Sequence, residues 1–143
     1  MAKTFRCPSC ARLNKVRPDK LASSPKCGHC KTDLNTTGAP MYVSDQELTR
    51  LLKSSPVPVL VDFYADWCGP CRSLGPHLDN LGRNHAGELM VVKVDTQQDQ
   101  QHAGMLGVQG IPALFLYKNG RVVDKATGMA PLAFWERMVA PHL

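Results

Sequence analysis

Val57-Pro58-Val59-Leu60-Val61-Asp62-Phe63-Tyr64-Ala65-Asp66-Trp67-Cys68-Gly69-Pro70-Cys71 is the stretch that decides how this chain folds. Val57 to Ala65 is an apolar run broken by Asp62, and it reads as a buried strand. The next residues open a helix: Pro70 has no N–H to lose and its φ is already helical, while Gly69 permits a tight backbone approach. A helix start leaves N–H groups unpaired and carries partial positive charge, so it stabilises a thiolate at Cys68. Cys71, one turn on, can meet Cys68 sulfur to sulfur. The spacing specifies a redox dithiol. Cys68, nearer the helix start and reachable by solvent, is the expected nucleophile, and Cys71 resolves the mixed disulfide that its attack would form.

Six cysteines in 143 residues raise the question of compartment. Met1 to Arg6 leads directly into a cysteine pair without the apolar core of a secretory leader. No stretch approaches the roughly 20 apolar residues that span a bilayer. The expectation is a cytoplasmic, membrane-free protein whose paired cysteines are metal-binding or catalytic.

Charge separates two segments. Residues 1–39 carry eight Lys and Arg against two Asp and Glu, a net +6, whereas residues 40–143 carry nine against ten, a net −1. Asn35 to Pro40 is polar and turn-forming, which places the boundary there: 1–39 as a small module with its linker, 40–143 as the main domain. Some 40 residues cannot bury enough surface to fold without a staple.

Cys7-Pro8-Ser9-Cys10 and Cys27-Gly28-His29-Cys30 supply that staple. Two Cys-x-x-Cys turns 16 residues apart suit a tetrahedral four-thiolate site holding one zinc ion. Iron accepts the same ligands, and two independent dithiols are the alternative without metal. The string Cys27-Gly28-His29-Cys30 also occurs in disulfide isomerases, but no buried strand precedes it and no helical pattern follows it. Four cysteines complete a tetrahedron, which leaves His29 exposed and polar.

Residues 40–143 alternate strand and helix patterns, the mark of an α/β fold with a largely parallel sheet. A helix over Asp45 to Lys53 is capped by Ser44, and one from the cysteine pair runs through Leu74, Leu78 and Leu81, kinked at Pro76. Met90 to Val94 is a strand and Asp99 to Leu106 a short helix. Ala113 to Tyr117 and Val122 to Ala126 pair across Lys118-Asn119-Gly120, and Pro131 opens a last helix burying Leu132, Trp135 and Val139.

The run Val61 to Cys71, with Ile111-Pro112 and Lys118-Asn119-Gly120, resembles the thioredoxin family over residues 41–143. With the two preceding cysteine pairs the whole chain is similar to the zinc-containing second type of bacterial thioredoxin. Tyr64 stands where many members have Trp, and Ala113 where Thr commonly follows the proline. The resemblance implies a thioredoxin fold, a central mixed sheet flanked by helices, preceded by a zinc-ribbon-like module. It also implies a cis bond at Pro112 and a substrate surface of Trp67, Gly69, Pro70, Ile111, Pro112 and Gly128. Asp62, costly to bury charged, either faces a hydrogen-bonding partner or serves the dithiol; by the resemblance it would lie beneath Cys71 and accept or relay its proton, with Lys93 from the neighbouring strand modulating its charge. Electrons would come from an NADPH-dependent thioredoxin reductase.

The implied activity is reduction of protein disulfides by a monomer with no organic cofactor. Two rival classes are a nucleic-acid-binding zinc ribbon and a disulfide-forming oxidase. The first would use the +6 segment, yet Phe5 is its sole aromatic, a poor supply for base stacking. Gly-Pro between the cysteines resembles reductants, against the second.

Overall fold

A computed structural model of the chain describes residues 2–143. Strand β1 (Lys3–Arg6) pairs antiparallel with β2 (Leu13–Val16). These four-residue strands were not legible in the sequence. Phe5 and Val16 pack with Cys7, Cys27 and Leu34 into a small core, against which Ala86 of the main body also packs.

A second sheet has five strands in the order β3-β5-β4-β6-β7. In chain order its elements are β3 (Met41–Tyr42), α1 (Asp45–Ser54), β4 (Val59–Tyr64), α2 (Gly69–Asn84), β5 (Met90–Asp95), α3 (Gln101–Met105), β6 (Ala113–Lys118), β7 (Arg121–Thr127) and α4 (Leu132–Val139). Strands β3, β5 and β4 run parallel, while β6 and β7 are antiparallel to their neighbours. The largely parallel sheet expected from strand–helix alternation is therefore corrected to a mixed one, as the family resemblance implied. Between β5 and β6 the chain runs through residues 96–112, of which only the five of α3 form a helix, and β6 then enters antiparallel to β4.

Alternation along the strands sorts side chains into two cores. Val59, Val61, Phe63, Val92 and Val94 pack with Leu48 and Leu51 of α1 and Ala103 of α3. Leu60, Val91, Leu114 and Leu116 pack on the other face with Leu74, Leu78 and Leu81 of α2 and Trp135 and Val139 of α4. Asp62 and Lys93 alternate onto this second face, the one that α2 covers.

Local chemistry accounts for the element ends. Ser44 and Glu47 form a reciprocal capping box on α1. Asn119 and Gly120, with φ of 54° and 77°, make the two-residue turn that suits the twist of a hairpin. Helix α2 continues through Pro76, where one ladder hydrogen bond is missing.

The linker is held by backbone-to-backbone packing: Gly38 (φ +83°) lies against Gly82 of α2 so closely that a Cβ on either would collide with the other's backbone. Gly75, on the same helix, has nothing within 4 Å of where a Cβ would stand. Gly82→Ala is expected to lower stability by about 1–3 kcal/mol and Gly75→Ala to raise it by about 0.5–1 kcal/mol. Thermal denaturation of the two variants measures the contrast.

Candidate active site and metal centre

Strand β4 ends at Tyr64, and four residues later Cys68 stands at the N-cap of α2. Its sulfur accepts a hydrogen bond from the Cys71 backbone N–H at 3.2 Å and lies 3.7 Å from the Ile111 carbonyl oxygen. The 16-residue α2 adds its positive end at the same place, favouring negative charge on Cys68. Cys68 and Cys71 are joined as a disulfide. Both are buried, at 4 % and 3 % exposure, so the expectation that solvent reaches Cys68 more readily is corrected. What distinguishes the pair is position at the cap.

Around the disulfide lie Tyr64 and Ile111. The Ile111–Pro112 bond is cis, and the Pro112 carbonyl accepts from Gly128 N–H at 2.8 Å. Trp67 is 65 % exposed beside the buried sulfurs. Gly69, Ile111 and Gly128 are half-buried, Pro70 is exposed and Pro112 is buried. Trp67 and Ile111 meet at one cleft, which residues of α3 complete.

Asp62 is fully buried, and neither carboxylate oxygen has a hydrogen-bond partner among the described residues. Its neighbour in register on β5 is Lys93, whose Nζ stands 4.0 Å from Oδ2. Burial pushes the Asp62 carboxyl up to about 7, with the Lys93 ammonium pulling in the opposite direction. Lys93 is itself held among aromatic rings, 4.9 Å from the centroid of Tyr64 and 5.5 Å from that of Tyr42. Sequence reading missed Tyr42, which pairs with Lys93 from the two-residue β3. Two apolar-to-aromatic residues before a helix cap carry no strand signal of their own.

The four remaining cysteines converge. Their sulfurs all lie within 4.8 Å of one another, with Cys7 and Cys30 at 3.5 Å and Cys10 and Cys27 at 3.6 Å. A tetrahedron with metal–sulfur bonds of about 2.3 Å has edges of about 3.8 Å, so the set fits. His29 is exposed and outside the cluster. The two turns are built alike: Cys7 Sγ accepts from the N–H groups of Ser9 and Cys10, and Cys27 Sγ from that of His29. Each turn closes through a residue of positive φ, Ala11 or Lys31, whose N–H bonds the first cysteine's carbonyl.

Donors aimed at sulfur favour thiolates. The Cys30 N–H leads in holding Cys27 down to about 5, helped by His29 and Asn14 against burial. Thr32, through its hydroxyl and backbone, lowers Cys30. Cys10 goes the other way: the Arg12 N–H lowers it, but burial and its three sulfur neighbours together push it up to about 11. Four sulfurs this close can all ionise only around a cation.

This module is fastened to the main body. Arg6, nearly buried, pairs with Glu47 of α1 at 2.5 Å, Lys3 pairs with Glu88, and the Thr4 N–H bonds the Gly87 carbonyl at 3.0 Å. The Arg6–Glu47 contact bridges 41 residues of sequence and had no sequence signal, although Ser44-x-x-Glu47 itself is a legible capping pattern.

Comparison with known proteins agrees with this geometry. The thioredoxin family profile matches residues 39–140. The chain belongs to the thioredoxin family. A second profile, described as thioredoxin 2, N-terminal, matches residues 6–32 and is of the zinc-ribbon kind. Thioredoxin 1 of Nostoc sp. is 38 % identical over 105 residues, covering 73 % of this chain and 98 % of the relative. Thioredoxin of Haemophilus influenzae is 34 % identical over 103 residues, covering 72 % and 96 %. Thioredoxin C-3 of Corynebacterium nephridii is 31 % identical over 122 residues, covering 85 % and 83 %. Among solved structures, an Asn-to-Gln mutant thioredoxin from Halobacterium salinarum superposes with a TM-score of 0.68 at 31 % identity, covering 76 % of this chain and 94 % of that one. This thioredoxin is a thiol-disulfide oxidoreductase with a Cys-x-x-Cys pair at 68 and 71, carrying a zinc-ribbon module with four cysteines positioned for a metal. No helix among the described residues is long and apolar enough to cross a membrane.

The shift of Asp62 gives a stability prediction with a definite sign. A carboxyl raised from 3.8 to about 7 binds its proton more tightly folded than unfolded. Its contribution is fully present below the unfolded value and is lost as pH rises through the folded one. Asp62→Asn abolishes that loss. Measured by denaturant unfolding of the oxidised protein, the variant's advantage over the parent should grow by roughly 3 kcal/mol between pH 4 and pH 8.

Proposed function

We propose that this protein reduces disulfides of other proteins by two successive exchanges, with Cys68 attacking and Cys71 resolving. The single observation that carries this assignment is the place of Cys68 at the cap of α2, with the Cys71 N–H donating to its sulfur. In the reduced enzyme the Cys68 thiolate attacks one substrate sulfur, the substrate S–S bond breaks, and the departing thiolate takes up a proton. Cys71 then gives up its proton, and its thiolate attacks the Cys68 sulfur. The second substrate thiol leaves, and the enzyme is left with the Cys68–Cys71 disulfide.

Asp62 is the proton acceptor for Cys71 in this reading. It lies on the sheet face that α2 covers, it has no competing hydrogen-bond partner among the described residues, and its raised carboxyl value lets it exchange a proton near neutral pH. Lys93 restrains that rise with its charge. Trp67, Gly69, Pro70, Ile111, Pro112 and Gly128 form the surface that receives the substrate, the loop at Ile111 pairing with an extended segment by short strand addition.

Cys7, Cys10, Cys27 and Cys30 hold one zinc ion, which neutralises the thiolates and ties the two turns together when bound. We divide the chain into this module with its linker, 1–39, and a thioredoxin domain, 40–143. Several of the module's basic groups are engaged within the protein, Lys3 with Glu88, Arg6 with Glu47 and Lys26 with Asp33, which argues against a nucleic-acid role. The oxidised enzyme is returned to the dithiol by an NADPH-dependent reductase, in the cytoplasm, with the chain acting as a monomer.

Two expectations test the reading. Cys71→Ser traps mixed disulfides with substrate proteins, isolable by non-reducing electrophoresis, and Cys68→Ser traps none and has no turnover; adducts on the Cys68→Ser variant would reverse the two roles. Cys7→Ser and Cys30→Ser each lose the metal, read as zinc content falling from one ion per chain, and hydrogen exchange through residues 3–34 rises because metal binding supplies most of that segment's folding energy. Full metal content in either variant would remove the altered cysteine from the ligand set.

A further inference from the structure

Helix α3 has only five residues and no side-chain cap of its own, since Gln100 at its N-cap makes no such bond. A helix this short does not hold itself together in water. Its first N–H groups are instead satisfied from α1, more than 50 residues away in sequence. The buried Asp45 carboxylate accepts from the Gln101 N–H at 2.8 Å through Oδ2 and from the His102 N–H at 3.1 Å through Oδ1. The exchange is mutual, because the Asp45 N–H donates to Asp99 Oδ1 at 3.0 Å. A second tie lies one turn along: the Thr49 hydroxyl lies 3.1 Å from the Asp45 carbonyl oxygen and shares a hydrogen bond of 2.8 Å with His102 Nε2.

What α3 does with this support is visible on its other side. Gln100, Ala103 and Gly104, with Val108 just beyond, line a cleft of about 350 Å³ together with Trp67 and Ile111. Ile111, whose carbonyl oxygen lies 3.7 Å from the Cys68 sulfur, belongs to that lining, which carries no charged residue.

We propose that Asp45 is a positioning residue for disulfide exchange with polypeptide substrates: by capping α3 it sets the wall of the Trp67 cleft, which receives a neutral chain segment flanking the substrate disulfide. Asp45 touches neither the reacting sulfurs nor the substrate. This inference rests on reading the Trp67–Ile111 surface as the substrate surface, so the test needs one arm for each.

Gly104→Glu is the arm for the surface. Gly104 lines the cleft, and outside its own helix nothing lies within 4 Å of the position a Cβ would take, so the substitution brings a carboxylate to the cleft without crowding the interior. It should lower insulin reduction, with dithiothreitol as electron source, relative to reduction of the small dicationic disulfide cystamine, which a glutamate does not repel. If insulin reduction is unchanged, the surface reading fails. Asp45→Ala is the arm for the clamp. Amide hydrogen exchange at Gly104 and Leu106, whose N–H groups bond back to Gln100 and His102, should accelerate. kcat/KM for insulin should fall about fivefold, chiefly through KM, with cystamine turnover and Cys68 alkylation unchanged, and Asp45→Asn, which keeps one acceptor oxygen, should lose less. Two results overturn the clamp while sparing the surface: insulin kinetics unmoved although exchange accelerates, or insulin and cystamine rates falling together.

Discussion

The structure depends on one junction, where a strand buried on both faces ends and a helix begins with a cysteine as its cap. β4 pairs with β5 on one side and β6 on the other, so its end is fixed from both edges. A sulfur at that cap acquires its electrostatic environment from backbone geometry, namely the Cys71 N–H and the end of a 16-residue helix. Alternation along the same strand then leaves one place for a carboxylate between sheet and helix. Asp62 occupies it at the cost of burying a group with no hydrogen-bond partner among the described residues, relieved in part by Lys93 at 4.0 Å.

The N-terminal module meets a different constraint. Its core is a handful of side chains, too few to outweigh the chain entropy of some 40 residues, and two of those side chains are themselves cysteines of the four-sulfur cluster. The module therefore depends on its cross-link and on its seat against the main body. Arg6, adjacent to Cys7, is paired with Glu47, and Glu47 also closes the capping box of α1. One carboxylate serves both the start of α1 and the seat of the module, so the first turn of α1 is a meeting point of module, helix and, through Asp45, the wall of the Trp67 cleft.

Much of this was legible in the sequence where the signal is local. The apolar run of β4, the leucine spacing of α2, Ser44 as a cap and Asn119-Gly120 as a hairpin turn each act through residues within a few positions of one another, and each stands as expected. The two cysteine turns were legible for the same reason. Strand direction was not: strand–helix alternation suggested a largely parallel sheet, while β6 and β7 run antiparallel to their neighbours. Strands of two or four residues, such as β3, β1 and β2, are too short to carry a period. Contacts that join distant parts, Arg6 to Glu47 and Asp45 to α3, left no trace, because neither partner looks unusual among its own neighbours. The near-equal burial of Cys68 and Cys71 was also out of reach, since it depends on how Tyr64 and Ile111 close over the pair.

If Cys68 is the attacking thiol proposed above, helix-cap geometry rather than exposure selects it among the six cysteines. Limiting iodoacetamide applied at neutral pH to the reduced, zinc-loaded protein, followed by peptide mapping, tests it most directly. The label should fall on Cys68, with Cys71 and the four cysteines of the module left unmodified. Label divided evenly between Cys68 and Cys71, or appearing first on the exposed Cys30, would contradict it.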